Sequence, residues 1–185
     1  MATGPGPRYN PAMNPTMSTS SFSAFSTATV GSIAVVSAAA LGLAFIAQYG
    51  FSLQPCELCL LQRLPYAATL VFGLMAAMPV VPPQARRQVV ALCAALFAFN
   101  AALAAYHAGI EYRWWQGPTA CTGHTGDFDL GDLAAALGRP GRISCEDAAF
   151  RVFGISMAGG NAIFCAALAL GCAWATRRRA VWDAP

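Results

Sequence analysis

The chain has 185 residues, of which 57% are hydrophobic and only 10% charged. A soluble domain carries roughly 25% charged residues, so this composition excludes an ordinary soluble domain, and its apolar content excludes a chain disordered throughout. The net charge of +3, carried by eleven Arg and no Lys, is too small and too scattered for a nucleic-acid footprint, so no nucleic-acid partner is expected.

Residues 1–25 are rich in Pro, Ser, Thr and Gly and read as a disordered tail. A membrane domain over 26–176 follows, with apolar runs at about 29–48, 60–79, 88–109 and 153–176. A helix crossing a ~30 Å hydrocarbon core needs about 20 residues, and each run supplies them. No period-2 alternation is sustained, and lipid offers backbone groups no partner outside a helix or a closed barrel. A long polar stretch precedes the first run, which predicts a retained helix rather than a cleaved signal peptide. The expected fold is therefore all-α: a four-transmembrane-helix bundle with a long loop over 110–152. Within that loop Leu130, Leu133, Ala134 and Leu137 follow helical spacing, with Asp127 or Asp129 to cap and Gly138 to stop. That pattern predicts a short amphipathic helix on the membrane surface.

Arg placement orients the bundle. With four spans, Arg8, Arg86, Arg87 and Arg177–Arg179 fall on one side, which makes both termini cytoplasmic and 177–185 a basic tail. The opposite side receives the connection near Tyr49–Glu57 and the net-acidic loop from Glu111 to Arg151. Tyr106, Tyr112, Trp114 and Trp115 cluster where the third span exits, as an aromatic belt would.

The chain has seven cysteines. Cys93, Cys165 and Cys172 lie inside spans and read as small packing residues. Cys56, Cys59, Cys121 and Cys145 lie at or beyond the outer boundary, in a compartment that permits disulfides. Four cysteines allow three pairings, of which Cys56–Cys59 with Cys121–Cys145 is the simplest. Pro55 suits the first position of a helix, which would set Cys56 and Cys59 in its first turn, where the positive helix end favours thiolate. An inert staple or half of a zinc site shares the CxxC spacing, so the motif alone does not decide.

Arg63 follows Cys59 by four residues and Cys56 by seven, so helical geometry puts all three on one face. An ionisable residue inside a span points to function by default, although an Arg one turn deep can also snorkel. Pro65 removes one intrahelical bond and permits a kink. His107 stands near the outer end of the third span with Glu111 one turn on, a candidate proton or hydrogen-bond donor beside a dithiol. His124 reads as a solvated loop residue.

These residues resemble the DsbB family of bacterial inner-membrane proteins. The resemblance rests on Pro55-Cys56-Glu57-Leu58-Cys59-Leu60-Leu61-Gln62-Arg63, on Tyr106-His107-Ala108-Gly109-Ile110-Glu111, on Trp114-Trp115 with Gly117-Pro118-Thr119-Ala120-Cys121, and on Phe153-Gly154-Ile155-Ser156-Met157-Ala158-Gly159 with Asn161. Gly160 stands where the family places a bulky aromatic residue. The resemblance implies a thiol:quinone oxidoreductase of the bacterial inner membrane, with its redox loops periplasmic. Its implied partners are a periplasmic DsbA-like thiol oxidant, the membrane lipid and a quinone, ubiquinone or menaquinone, with no metal. By motif position Cys121 would form the mixed disulfide with the partner and Cys145 would resolve it. Cys56 would accept attack from the loop, Cys59 would face the quinone, Arg63 would orient the quinone ring and His107 would assist. The alternative of another class is a non-enzymatic four-span scaffold with a disulfide-stapled outer loop. It accounts for Cys121 and Cys145 but not for Cys56, Cys59 and Arg63 on one face. A vitamin-K-epoxide-reductase-like enzyme would carry its CxxC late in the chain rather than at the second span. A metal-binding membrane protein could use Cys56, Cys59, Cys121 and Cys145, but it needs reduced thiols, and metal analysis with thiol trapping separates it.

Overall fold

The computed structural model describes residues 19–118, 144–148, 151–178 and Trp182. Helix α1 runs over Thr19–Phe45 and continues as one π-helical turn over Ile46–Gly50; α2 spans Glu57–Ala77, α3 Pro83–Glu111 and α4 Met157–Arg177. All four are long and apolar enough to cross a membrane. The chain is a helical membrane protein built on four spans. The amphipathic helix expected near 127–138 lies outside the described residues.

Helix ends differ from the apolar runs for local reasons. Helix α1 starts at Thr19, within the tail expected over 1–25; the rest of that tail lies outside the described residues. Buried Arg86 of α3 donates to Ser26 Oγ (3.1 Å), Thr27 Oγ1 (2.6 Å) and the carbonyl of Met78 (3.1 Å), tying the polar start of α1 to the bundle. Helix α3 starts early because Pro83 fits the first helical position behind Pro82. It ends where Arg113 adopts a left-handed φ of 59°. There the Trp114 amide bonds back to the Gly109 carbonyl (2.8 Å) and the Arg113 amide to that of Ile110 (2.9 Å).

The fourth span does not open as helix at 153. Arg151–Val152 (β1) pairs antiparallel with Ile155–Ser156 (β2), Arg151 opposite Ser156. Phe153 and Gly154 form the turn at φ 50° and 81°, the positive pair that tight hairpins require. The Tyr112 hydroxyl donates to the Gly154 carbonyl at 2.7 Å, which holds the hairpin at the outer end of α3. Helix α4 then starts behind Ser156, whose Oγ accepts the Gly159 amide at 3.1 Å.

The most extensive packing joins α3 to α4, then α1 to α2. Gly73 permits the second contact, since a Cβ there would lie 3.1 Å from both Cβ and N of Ala34 and 3.2 Å from the Val30 carbonyl. Ser37 and Thr69 share a buried hydrogen bond of 2.8 Å across the same seam. The main core gathers Val30, Ile33, Tyr66, Val90, Phe97 and Trp182, among others. Cys93, Cys165 and Cys172 are buried in it, as their small apolar character suggests. A second, smaller core of Cys56, Leu58, Ile110 and Cys145 sits at the other end of the bundle, with Cys59 and Leu103 packed against it.

Candidate active site

Cys56 is the N-cap of α2, not a residue of its first turn, and Pro55 precedes the helix instead of opening it. The geometry follows from the cap. The Cys56 backbone is extended, and its Sγ accepts the Cys59 amide at 3.3 Å, as an N-cap Ser oxygen would. This folds Cys56 over Cys59 and brings the two sulfurs to 2.9 Å, with the Cys56 thiol donating. That hydrogen bond, then burial, pushes the Cys56 thiol up to about 12, against a smaller lowering by His107.

His107 of α3 completes the cluster. It is 3% exposed, with Nε2 at 3.5 Å from Cys56 Sγ and 3.8 Å from Glu111 Oε1. On its other edge Nδ1 lies 3.0 Å from Gln62 Nε2. Gln62 Oε1 accepts from Asn161 Nδ2 of α4 at 2.6 Å, and Asn161 Oδ1 accepts from the Tyr66 hydroxyl at 2.6 Å. A buried polar chain thus runs Tyr66, Asn161, Gln62, His107, Cys56 through three helices. With Gln62 Nε2 donating to Nδ1, the ring proton sits on Nε2 and points at Cys56.

Arg63 faces α1. Its Nη1 donates to Gln48 Oε1 at 2.6 Å, Nη2 reaches the Ala44 carbonyl at 3.5 Å, and the guanidinium lies 5.2 Å from the centre of the Phe45 ring. Gln48 is presented by the π turn, a helix irregularity common at functional sites. Cys56, Cys59, Arg63 and His107 all line one cavity of about 270 Å³. Ala40, Leu43, Ala44 and Ala47 form its apolar side, and Glu111, Asp147 and Asn161 add polar groups. Cys145 is 1% exposed and belongs to the same small core as Cys56. The structure therefore brings together five of the six expected site residues; Cys121 lies outside the described residues, as does His124.

A family model described as disulfide bond formation protein DsbB matches residues 26–175. The chain belongs to the DsbB family. Comparison with curated proteins and with solved structures returned no match. DsbB membership carries disulfide-bond formation, an oxidoreductase chemistry, in a multi-pass membrane protein.

In this DsbB chain the space around Gly160 is open, and a Cβ placed there would meet nothing within 4 Å, so no neighbour forces a glycine. Gln48 and the roles of Gln62 and Asn161 go beyond what the sequence predicts, whereas the closeness of Glu111 to His107 follows from their one-turn spacing. A signal is present all the same, because a polar amide inside an apolar run asks for a partner just as a charge does.

Proposed function

We propose that this DsbB-family protein oxidises the dithiol of a periplasmic DsbA-like thioredoxin-fold protein and passes the electrons to a membrane quinone. The observation that carries this reading is the Cys56–Cys59 pair at the head of α2, sharing a cavity with Arg63 and His107. The burial of Cys145 in the same core as Cys56 supports electron entry from the loop. In the first exchange a partner thiolate attacks Cys121, and the partner's second thiolate then releases Cys121 and Cys145 as a dithiol. That dithiol reduces the Cys56–Cys59 disulfide by the same chemistry, starting at Cys56. Each exchange moves two electrons and two protons and conserves one disulfide.

The cavity residues fit a quinone head: an apolar wall on α1 faces the polar edge of Arg63 and His107. A quinone bound there accepts two electrons and two protons. Both sulfurs line the cavity; Cys59, the less buried of the two, would face the quinone, and Arg63 would orient a ring carbonyl through guanidinium N–H groups not used on Gln48 and Ala44. His107 Nε2 holds a proton 3.5 Å from Cys56 Sγ, where it steadies charge on that sulfur during exchange.

In the proposed orientation the cysteine-bearing end faces the periplasm of a bacterial inner membrane and both termini lie in the cytoplasm. The Arg side chains support it. Arg86 and Arg87 open α3, Arg177 closes α4, and Arg87 Nε donates to the Thr176 carbonyl at 3.0 Å, so these charges share the end opposite Cys56. A stapled scaffold gives no reason for a buried His against the Cys56 sulfur.

The test is anaerobic mixing of the purified protein with a reduced DsbA-like protein and a soluble quinone, following quinol by absorbance. One quinol per partner disulfide is expected, with none formed by Cys59→Ser. Disulfide formation without quinol would overturn the quinone assignment.

A further inference from the structure

We propose that the reduced Cys56–Cys59 pair and His107 form a binding site for a thiophilic divalent cation, Zn²⁺ or Cd²⁺, which locks the site in its reduced state. The inference rests on the redox reading above, which makes the dithiol one of the two states of the pair.

Sγ of Cys56, Sγ of Cys59 and Nε2 of His107 all lie within 4.8 Å of one another. Zinc holds sulfur at about 2.3 Å and imidazole nitrogen at about 2.0–2.1 Å, so tetrahedral ligands sit roughly 3.5–3.8 Å apart. The Cys56–His107 separation of 3.5 Å already matches. The two sulfurs, at 2.9 Å, must part by about 1 Å, which a side-chain rotation of Cys59 in the first turn of α2 supplies.

The fourth position opens on the cavity. Glu111 waits there, 7% exposed, with Oε1 3.8 Å from Nε2 and Oε2 without a hydrogen-bond partner among the described residues. A buried carboxylate oxygen left unpaired is costly, and a metal-bound water would satisfy it. Ligation through Nε2 moves the ring proton to Nδ1, so the Gln62 amide turns to present Oε1. Asn161 then turns with it, and the Tyr66 hydroxyl passes to Cys165 Sγ, 3.0 Å away. Every polar group in the chain keeps a partner in both arrangements.

Binding releases two thiol protons and transfers no electrons. Two thiolates neutralise the divalent ion, which suits a site this buried. Once oxidised, the pair has no thiolate to offer, so metal binding and disulfide formation exclude each other.

The experiment uses the full-length chain carrying Cys121→Ser and Cys145→Ser, so that Cys56–Cys59 is the one pair that changes state, in detergent under argon. Thiols are counted by alkylation before and after reduction, the reductant is removed, and Cd²⁺ is titrated by its thiolate charge-transfer absorption, with Zn²⁺ added in competition. Reduced protein is expected to take one ion per chain and oxidised protein none; Cys93, Cys165 and Cys172 are common to both states and serve as the internal control. X-ray absorption at the zinc edge should show two sulfurs with one nitrogen, and His107→Ala should weaken binding at least tenfold. Reduced protein that gains two thiols but binds no ion overturns the proposal, as does a shell of three or four sulfurs. If the thiol count does not rise on reduction, the redox reading itself fails and the site falls with it.

Discussion

Cys56 Sγ lies 3.5 Å from Nε2 of His107, although 51 residues separate them. The contact joins the cap of α2 to the outer end of α3, so it exists only when the bundle is assembled. It also makes the two sulfurs of the CxxC pair unequal, because Cys56 is buried, meets His107 and donates to Cys59, while Cys59 is half-buried.

The inequality predicts which thiol reacts. Cys56 is held up to about 12 from an ordinary 9.0, chiefly by its hydrogen bond to Cys59. At pH 8 iodoacetamide should therefore label Cys59 of the reduced protein first, with Cys56 following only slowly, as peptide mass spectrometry would read. The same shift sets a stability window. Between pH 9 and about 12 the folded state binds the Cys56 proton and the unfolded state does not, so stability falls as pH rises through that window. Cys56→Ser should flatten this part of the melting-temperature profile. Equal labelling of both sulfurs at pH 8 would show that the asymmetry is not maintained in solution.

Gly109 predicts a steric effect of definite sign. A Cβ at this position would run into the indole of Trp115, which stacks on Tyr106 at 5.8 Å and donates from Nε1 to the Tyr106 carbonyl at 3.0 Å. Gly109→Ala should cost about 1–3 kcal/mol as overpacking and release the indole, seen as a changed near-ultraviolet circular dichroism and a lower melting temperature. Adding Trp115→Ala should recover much of the loss. A single variant as stable as the parent would mean that the indole moves aside freely.

Much of this architecture was legible in the sequence. Four uncharged apolar runs gave four spans, because lipid leaves the backbone few other solutions. The spacing of Cys56, Cys59 and Arg63 suggested one helical face, and in the structure all three line one cavity. What escaped depended on contacts between distant residues. Arg86 meets Ser26 and Thr27 near the start of α1, 60 and 59 residues away. Gln62 meets His107 across 45 residues and Asn161 across 99, pairings that helix packing creates and periodicity does not encode. The hairpin at Phe153–Gly154 was hidden because a positive-φ Phe is rare and no turn signal beyond Gly154 announces it.

The relay predicts a trap. Cys145→Ser leaves Cys121 as a lone thiolate that attacks the disulfide of the oxidised DsbA-like partner; the exit through Cys145 is closed and only return through the partner's second thiolate remains, so a disulfide-linked complex should accumulate. It should appear on non-reducing gels and vanish with Cys121→Ser. Persistence of the complex in the Cys121→Ser background, with loss in Cys56→Ser, would move the entry point to the CxxC pair.

Arg63 separates two roles that a positive charge can play. If charge alone matters, Arg63→Lys should be nearly normal, since a Lys ammonium at this depth still attracts a thiolate. The geometry favours planar contact. Arg63 spends Nη1 on Gln48 and Nη2 on Ala44, and the guanidinium lies over the Phe45 ring, so the group is held at three points on α1 beside the cavity that it lines. A Lys has no fork with which to hold Gln48 and a quinone carbonyl at once. One lost charged hydrogen bond is worth about 1.5–3 kcal/mol, roughly ten- to hundredfold in affinity. Arg63→Lys should therefore raise the quinone KM by that factor and leave reaction of the reduced partner at Cys121 unchanged. Gln48→Ala, which frees the guanidinium from α1, should raise KM by less. Steady-state quinone titration of the three proteins in detergent reads all of this. If Arg63→Lys and Arg63→Ala both keep the parent's quinone dependence, Arg63 serves only to tie α2 to the π turn of α1, and the quinone must bind against other residues.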